Sequence, residues 1–368
     1  MNVPSILQRR RELRWLAPAG VVCVAALAAT GAFSASASPE AGLPRTTPAA
    51  LIAAVREAPA VTGFAGTIVT HLDLGLPDLP AIGNAGDGTS FTSLLSGSHT
   101  LEVWYGGVDK QRIALLGTTD ETDLFRDGSD VWQYSSAGHS AVHLQLPAHH
   151  ATHESTPVPI SGSPASMTPS ALASRAIAAI DPSTRVTVDS NRTVADRAAY
   201  DLVLTPRTTA TKVGSVHIAV DGATKLPLAV QVYPRGSKTP ALDVAYTGIR
   251  FGHQADRNFQ FTPPGHTAVR DITPGRRAAE PSTPAGADHA PRVTGSDWTT
   301  VVALQPGTAG LKSLTQHGVL DALTPVSGTW GSGRLLDSSL LSVLVTSDGR
   351  VYAGAVAPSD LYAAAAQK

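Results

Sequence analysis

The residues best suited to chemistry are histidines crowded into one short stretch. His139, His143, His149, His150 and His153 lie within 15 residues and are followed by Glu154. Imidazoles at mixed short spacing could capture zinc or copper. The stretch runs into a proline-containing loop, in which solvated histidines carry no penalty. We therefore predict solvated histidines and no metal site, with metal capture as the alternative.

Other chemical signals are weak. Asp120, Glu121 and Asp123 form an acidic turn, but the ligand spacing and central glycine of a calcium loop are missing. The sequence contains no Gly-x-Ser-x-Gly elbow, Ser-x-x-Lys, His-Glu-x-x-His, phosphate loop or Gly-x-Gly-x-x-Gly segment. We predict a protein that is not an enzyme, with no catalytic residues and no cofactor.

Charge and composition narrow the possible partners and folds of the protein further. The chain has 368 residues, of which 28 are basic and 29 acidic, giving a net charge of −1. This balance gives no support to nucleic acid as a partner. The 33 glycines and 27 prolines favour many turns and short strands. We expect a monomer.

Residues 1–37 have the pattern of an export signal. Arg9, Arg10, Arg11 and Arg14 precede an uncharged apolar stretch at 16–33, and Ala35-Ser36-Ala37 offers a cleavage site. About 18 apolar residues almost span a bilayer, so an uncleaved membrane anchor is the alternative. Cleavage would remove Cys23, the single cysteine, and with it any disulfide or thiol chemistry. Either way, we expect an extracytoplasmic protein, secreted or anchored to the outer face of the cytoplasmic membrane.

Two short helices and many alternating strands should follow. Thr47-Pro48 and Thr168-Pro169 each supply an N-cap and a first helical residue. Between and after them, residues 64–146 and 186–246 alternate apolar and polar side chains, broken by turns such as Asp127-Gly128 and Asp221-Gly222. Such strands have one apolar face that two helices cannot cover if the sheet is flat.

We therefore predict an α+β fold, mainly antiparallel β: an open curled half-barrel with helices plugging its concave face, plus a small C-terminal α/β unit. The expected divisions are residues 38–265 for the half-barrel, 266–293 for a Pro/Ala/Gly-rich linker and 294–368 for the C-terminal domain. In that domain we expect a strand at 298–304, a helix near 311–323, a hairpin at 347–349 and a helix after Pro358. Residues 74–97 form a long apolar loop, either a movable lid or a packed insertion.

Four segments resemble the LolA-like lipoprotein carriers and the related RseB/MucB regulators. Residues 259–265 (Phe-Gln-Phe-Thr-Pro-Pro-Gly) resemble the family's C-terminal strand signature, and 100–105 its Leu-Trp-Val strand. Residues 125–134, with Asp127-Gly128 and Trp132-Gln133-Tyr134, resemble its Asp-Gly hairpin, and 202–206 its Val-Leu-Thr-Pro strand. The resemblance spans about residues 46–265. Gly106-Gly107 stand where the carriers have a basic residue, with Lys110 and Arg112 only nearby.

The resemblance implies an extracytoplasmic carrier or binding protein for lipids or lipoprotein acyl chains. Its alternative is an RseB-like sensor that binds an anti-sigma factor or another membrane protein. Alternation alone favours a dry core over a ligand pocket. If there is a pocket, the residues expected to line it are Phe64, Ile68, Leu101, Val103, Leu115, Trp132, Leu204, Ile218, Leu228 and Val230.

Overall fold

Two β-sheets dominate the computed structural model of the protein, which describes residues 42–75, 97–146, 167–272, 291–306 and 323–367. The export signal predicted at 1–37 lies outside these residues, as does the long loop except for residues 74, 75 and 97. None of the helices in the described ranges is long and apolar enough to cross a membrane.

The larger sheet has twelve strands in the order β12-β6-β5-β4-β3-β2-β1-β11-β10-β9-β8-β7. Their bounds are β1 Phe64–Leu72, β2 Gly97–Tyr105, β3 Lys110–Leu116, β4 Glu121–Asp127, β5 Asp130–Ser135, β6 Ser140–Gln145, β7 Thr184–Val194, β8 Arg197–Pro206, β9 Val213–Asp221, β10 Pro227–Pro234, β11 Leu242–Phe251 and β12 Ala268–Ile272. All neighbouring pairs are antiparallel except β12 with β6. Strands β1–β6 and β7–β11 are two meanders joined through β1 and β11.

Two helices lie on one face of this sheet, and their starts follow the Thr-Pro pairs. Helix α1 spans Pro48–Glu57, and the Thr47 side chain accepts a hydrogen bond from the backbone N–H of Ala50 at 3.2 Å. Helix α2 spans Pro169–Ala178, and Thr168 accepts one from Ala171 at 3.3 Å. Each cap satisfies a backbone donor that the first helical turn leaves free. Both predicted helix starts are confirmed.

The sheet curls around these helices without closing. Helix α1 contacts β7, and α2 contacts β10 and β11. Strand β7 also comes back into contact with β11, although three strands separate them in the sheet order. Leu51 of α1 and Leu172 and Ile177 of α2 are buried against the concave face. The predicted open, curled, mainly antiparallel half-barrel is confirmed.

The second sheet belongs to the C-terminal unit, and its described strands are antiparallel, with one helix packed on them. The order is β13-β14-β18-β17-β16-β15, and the bounds are β13 Arg292–Thr294, β14 Val301–Leu304, β15 Thr324–Gly328, β16 Gly331–Asp337, β17 Ser342–Thr346 and β18 Val351–Gly354. Helix α3 (Pro358–Ala366) packs on β14, β17 and β18. The hairpin at 347–349 and the helix after Pro358 are confirmed. The helix expected near 311–323 lies outside the described residues except for Leu323.

The C-terminal unit packs directly onto the half-barrel. Trp298 donates a buried hydrogen bond from Nε1 to Thr184 Oγ1 at 2.8 Å, and Leu340 and Leu341 join the half-barrel's apolar core. Thr211 bonds the Ala355 carbonyl at 2.8 Å. Strand β12 occupies the start of the segment expected to be a linker, and residues 273–290 lie outside the described residues.

Candidate functional site

Nine of the ten residues predicted to line a pocket share the concave face of the sheet. They are joined by strand register: Ile68 lies opposite Leu101 of β2, and Ile218 of β9 lies opposite Val230 of β10. None of the nine is more than 6% exposed, and all belong to one buried cluster: Phe64, Ile68, Leu101, Val103, Leu115, Leu204, Ile218, Leu228 and Val230. The sequence therefore placed these side chains on the correct face.

These nine residues are packed against the protein's own side chains. Leu51, Leu172 and Ile177 of the helices and Leu340 and Leu341 of the C-terminal unit belong to the same cluster. Interiors packed in this way hold few voids larger than a water molecule. This part of the concave face is the dry core that alternation alone favoured.

Trp132, the tenth predicted residue, lies on the opposite, convex face. Its register partners are Phe125 and His143, and its ring stacks on His143 with centroids 4.1 Å apart. Its neighbour Val131 points to the concave side and is 6% exposed. A shift of one residue exchanges the two faces of a strand. In β5 the small valine, and not the tryptophan, faces inward, so this assignment of Trp132 to the concave face is wrong.

The apolar concave face continues beyond the packed core, and there it is only partly covered. The buried cluster ends on β3 with Ile113 and Leu115. Across the next strands, Leu124 pairs with Ile113, and Leu144 pairs with Val131 and Ile272. We call Leu124, Val142, Leu144 and Ile272 the wing. The first three are half-buried, and Ile272 is 42% exposed.

On the convex side of this region, a buried carboxylate is held under aromatic rings. Asp123 accepts a hydrogen bond from Arg112 Nε at 2.8 Å, and the guanidinium lies 4.7 Å from the ring centroids of both Trp104 and Phe125. Burial raises the pKa of Asp123 to about 6, against the opposing effect of Arg112. Arg112 is thus committed to a structural ion pair, and Lys110 pairs with Asp256 at 2.6 Å.

The segment 259–265, which resembles a C-terminal strand signature, is not a strand. It follows a short 3-10 helix at Asp256–Asn258, and its two phenylalanines anchor it to the sheet. Phe261 stacks on Phe125 at 4.8 Å and packs against Trp132 and Tyr134. Phe259 is buried against Gly106, where a Cβ would lie 2.8 Å from the ring. A close-packed aromatic therefore accounts for glycine where the carriers have a basic residue.

Of the predicted histidine group, the structure describes His139 and His143. His139 lies in the turn before β6, with a φ of 41°. His143 lies between two carboxylates, with Nε2 2.9 Å from Asp130 Oδ1 and Nδ1 3.0 Å from Asp271 Oδ1. His149, His150, His153 and Glu154 lie outside the described residues.

A second polar network crosses the convex face of β7–β9. Arg192 donates to Asp201 at 2.9 Å, and His217 is 2.7 Å from Asp201 and 3.1 Å from Ser215. The series of contacts from Asp201 through His217 to Ser215 resembles a nucleophilic triad. However, Ser215 lies within strand β9, opposite Tyr233, and not on an exposed strand-to-helix elbow. We interpret the network as structural. The network could not be recognised in the sequence, because its members come from three strands.

The larger sheet is thus an open half-barrel with helices in its concavity and a partly exposed apolar wing. No family model and no curated protein matches the sequence. Among solved structures, the chain is similar to that of the Pseudomonas aeruginosa MucA/MucB complex, at 16% identity over 86% of this chain and 94% of the other, with a TM-score of 0.41.

Two shorter proteins are also similar. One is a LolA superfamily protein from Nitrosomonas europaea, at 11% identity over 59% of this chain and 99% of the other, with a TM-score of 0.24. The other is a putative outer membrane lipoprotein-sorting protein domain from Vibrio parahaemolyticus, at 11% identity over 57% of this chain and 93% of the other, with a TM-score of 0.23.

Proposed function

We propose that the protein is an extracytoplasmic, non-catalytic binding protein that receives an acyl chain of a lipid or lipoprotein on the wing of its concave face. The observation that carries the proposal is the continuation of the apolar face past β3 onto side chains that the described parts of the protein leave partly exposed. The four sequence segments that resemble lipoprotein carriers support the choice of ligand.

The wing offers aliphatic side chains on which a chain of methylenes can lie. Leu124 of β4 and Val142 and Leu144 of β6 lie on one face, with Val131 and Gln133 of β5 between them. Ile272 and Arg270 of β12 border this strip, so its apolar side chains are flanked by two polar ones. Burying each methylene contributes about 0.8 kcal/mol, so a strip that covers a few of them gives reversible binding. In this proposal the nine packed residues form the wall beside the site, and the ligand does not displace them.

The proposal is tested by changing one strand on its two faces. Leu144→Glu places a charge on the wing, while Gln145→Glu places the same charge one residue further along β6, on the exposed convex side. Titration with a fluorescent fatty-acyl probe should show at least about tenfold weaker binding for Leu144→Glu, because burying an unpaired carboxylate is costly. Gln145→Glu should bind like the wild type. Equal binding by all three proteins would refute the wing as the site.

A second candidate, the RseB-like sensor, is favoured by the two-unit architecture. The C-terminal unit is joined to the half-barrel by a buried hydrogen bond between Trp298 and Thr184 and by Lys212, which binds the Asp337 carboxylate and the Ser338 carbonyl. A simple shuttle does not require such a unit. A sensor would use it to hold a membrane protein, and acyl chains would then be the signal.

The two functions differ in how long the complex with a protein partner lasts. Crosslinking in membranes followed by purification should recover one defined membrane protein for a sensor. A shuttle should yield acylated cargo without a fixed partner. Leu144→Glu should lower cargo recovery if the protein is a shuttle and leave recovery of the membrane protein intact if it is a sensor.

A further inference from the structure

Strand β12 is attached to the rest of the molecule more loosely than any other strand of the large sheet. It is five residues long, all of them exposed, and within the described ranges it pairs with β6 alone. That pairing is parallel, while every other neighbouring pair in the sheet is antiparallel. Parallel pairing is slightly less stable per residue. Five exposed residues at an edge therefore need further contacts to stay docked.

Among the described residues, a side-chain hydrogen bond between Asp271 and His143 joins β12 to β6. His143 Nδ1 lies 3.0 Å from Asp271 Oδ1, and its Nε2 lies 2.9 Å from Asp130 Oδ1 on β5. Ionised carboxylates only accept hydrogen bonds, and a neutral imidazole can donate only one. Both bonds are therefore satisfied at once only when the ring carries both protons.

The charged groups that act on the His143 ring are the carboxylates of Asp130 and Asp271. Trp132 covers one ring face at 4.1 Å, at an angle of 11°. The same-face neighbours along β6, Ala141 and Gln145, are uncharged. Arg270, the one basic residue of β12, is paired in register with Val142 and so lies on the other face of the sheet.

We propose that protonated His143 is a clamp that holds β12 on the edge of the half-barrel, and that deprotonation releases this strand. Ala268 to Ile272 would then leave β6 as a unit, lengthening the connection to the C-terminal unit and baring the β6 edge. An uncovered edge can accept another extended chain. Release would also remove Ile272 from the wing, a consequence that rests on the proposed function.

The pKa of His143 agrees with this geometry. Burial lowers the pKa, but the hydrogen bonds and charges of Asp130 and Asp271 outweigh burial, so the pKa is raised above its ordinary value. A raised pKa in the docked state means that the clamp is fully formed below the ordinary histidine pKa. Its stabilisation is lost as pH rises through the docked-state pKa.

Hydrogen exchange of the full chain tests the clamp. The protection factors of the β12 amides, corrected for the intrinsic rate of exchange, should fall about threefold or more between pH 5.5 and 8, since each unit of pKa difference corresponds to a factor of ten. Peptides from β9 and β10 should keep their protection. In His143→Gln, protection of β12 should be low and independent of pH.

Two further variants make the test decisive. His217→Gln removes an imidazole that bonds Asp201 far from β12 and should retain the wild-type pH profile of β12. Asp271→Asn changes a side chain that is 70% exposed and should loosen β12 even if His143→Gln folds poorly. A wild-type β12 whose protection does not change with pH, or a folded His143→Gln that keeps the wild-type profile, would overturn the proposal.

Discussion

Single residues explain why this chain departs from the pattern it resembles. Gly106 stands where the carriers that the sequence resembles have a basic residue, and the reason is steric: the Phe259 ring occupies the space that a side chain would need. The nearby cations Lys110 and Arg112 are paired with Asp256 and Asp123. The sequence shows the glycine but not its contact with Phe259, because Phe259 lies 153 residues further along the chain.

Gly106→Ala should therefore destabilise the fold. Its Cβ would lie 2.8 Å from Phe259 Cζ, so the ring must shift, and such overpacking typically costs about 1–3 kcal/mol. Urea denaturation of the two proteins measures this change in the free energy of unfolding. Gly248→Ala is the matched control, since a Cβ there meets nothing within 4 Å.

A double variant separates the clash from any other effect of the alanine. Phe259→Leu combined with Gly106→Ala should cost less than the sum of the two single changes, because the smaller side chain makes room. Strict additivity would show that the contact with Phe259 is not the cause.

For the strands, the sequence predicted which face of the sheet a side chain occupies, but it did not predict which strands are neighbours. Alternation placed nine side chains on the concave face, and the Thr-Pro pairs located both helix starts. Trp132 was misplaced because β5 turns Val131 inward and its aromatic residues outward. The Asp201–His217 and His143–Asp271 contacts depend on which strands are neighbours, information that a single sequence does not carry.

The packed state of the concave core can be measured on helix α2. Ile177→Ala removes a side chain that is 3% exposed and should cost about 2–5 kcal/mol if the core is filled as described. Ser174→Ala, on the exposed side of the same helix, is the control. A loss below about 1 kcal/mol in denaturation experiments would indicate a loosely filled interior instead.

At the scale of the whole molecule, the C-terminal unit completes the core of the half-barrel. Trp298, Leu340 and Leu341 belong to the same buried cluster as Ile218 and Leu228. The composition change near residue 266 predicted a linker, but β12 at Ala268–Ile272 still belongs to the half-barrel's sheet. Nothing in the sequence indicated that the cores of the two units merge. The two units are thus expected to unfold together.

Ending the chain after Ile272 should therefore uncover part of the half-barrel core. We expect the truncated protein to melt at a lower temperature than the full chain and to bind a hydrophobic dye more strongly, because apolar surface becomes exposed. Thermal unfolding of the full chain should show one transition. Two separate transitions, or a truncation as stable as the whole, would show that the units are independent.

Native mass spectrometry of the full chain, purified from membranes under gentle conditions, shows whether the wing binds an acyl chain. We expect a bound species whose mass matches one acylated lipid, released on activation and absent from Leu144→Glu but present in Gln145→Glu. Wild-type protein that carries no acyl adduct, and gains none when mixed with lipid vesicles, would contradict it.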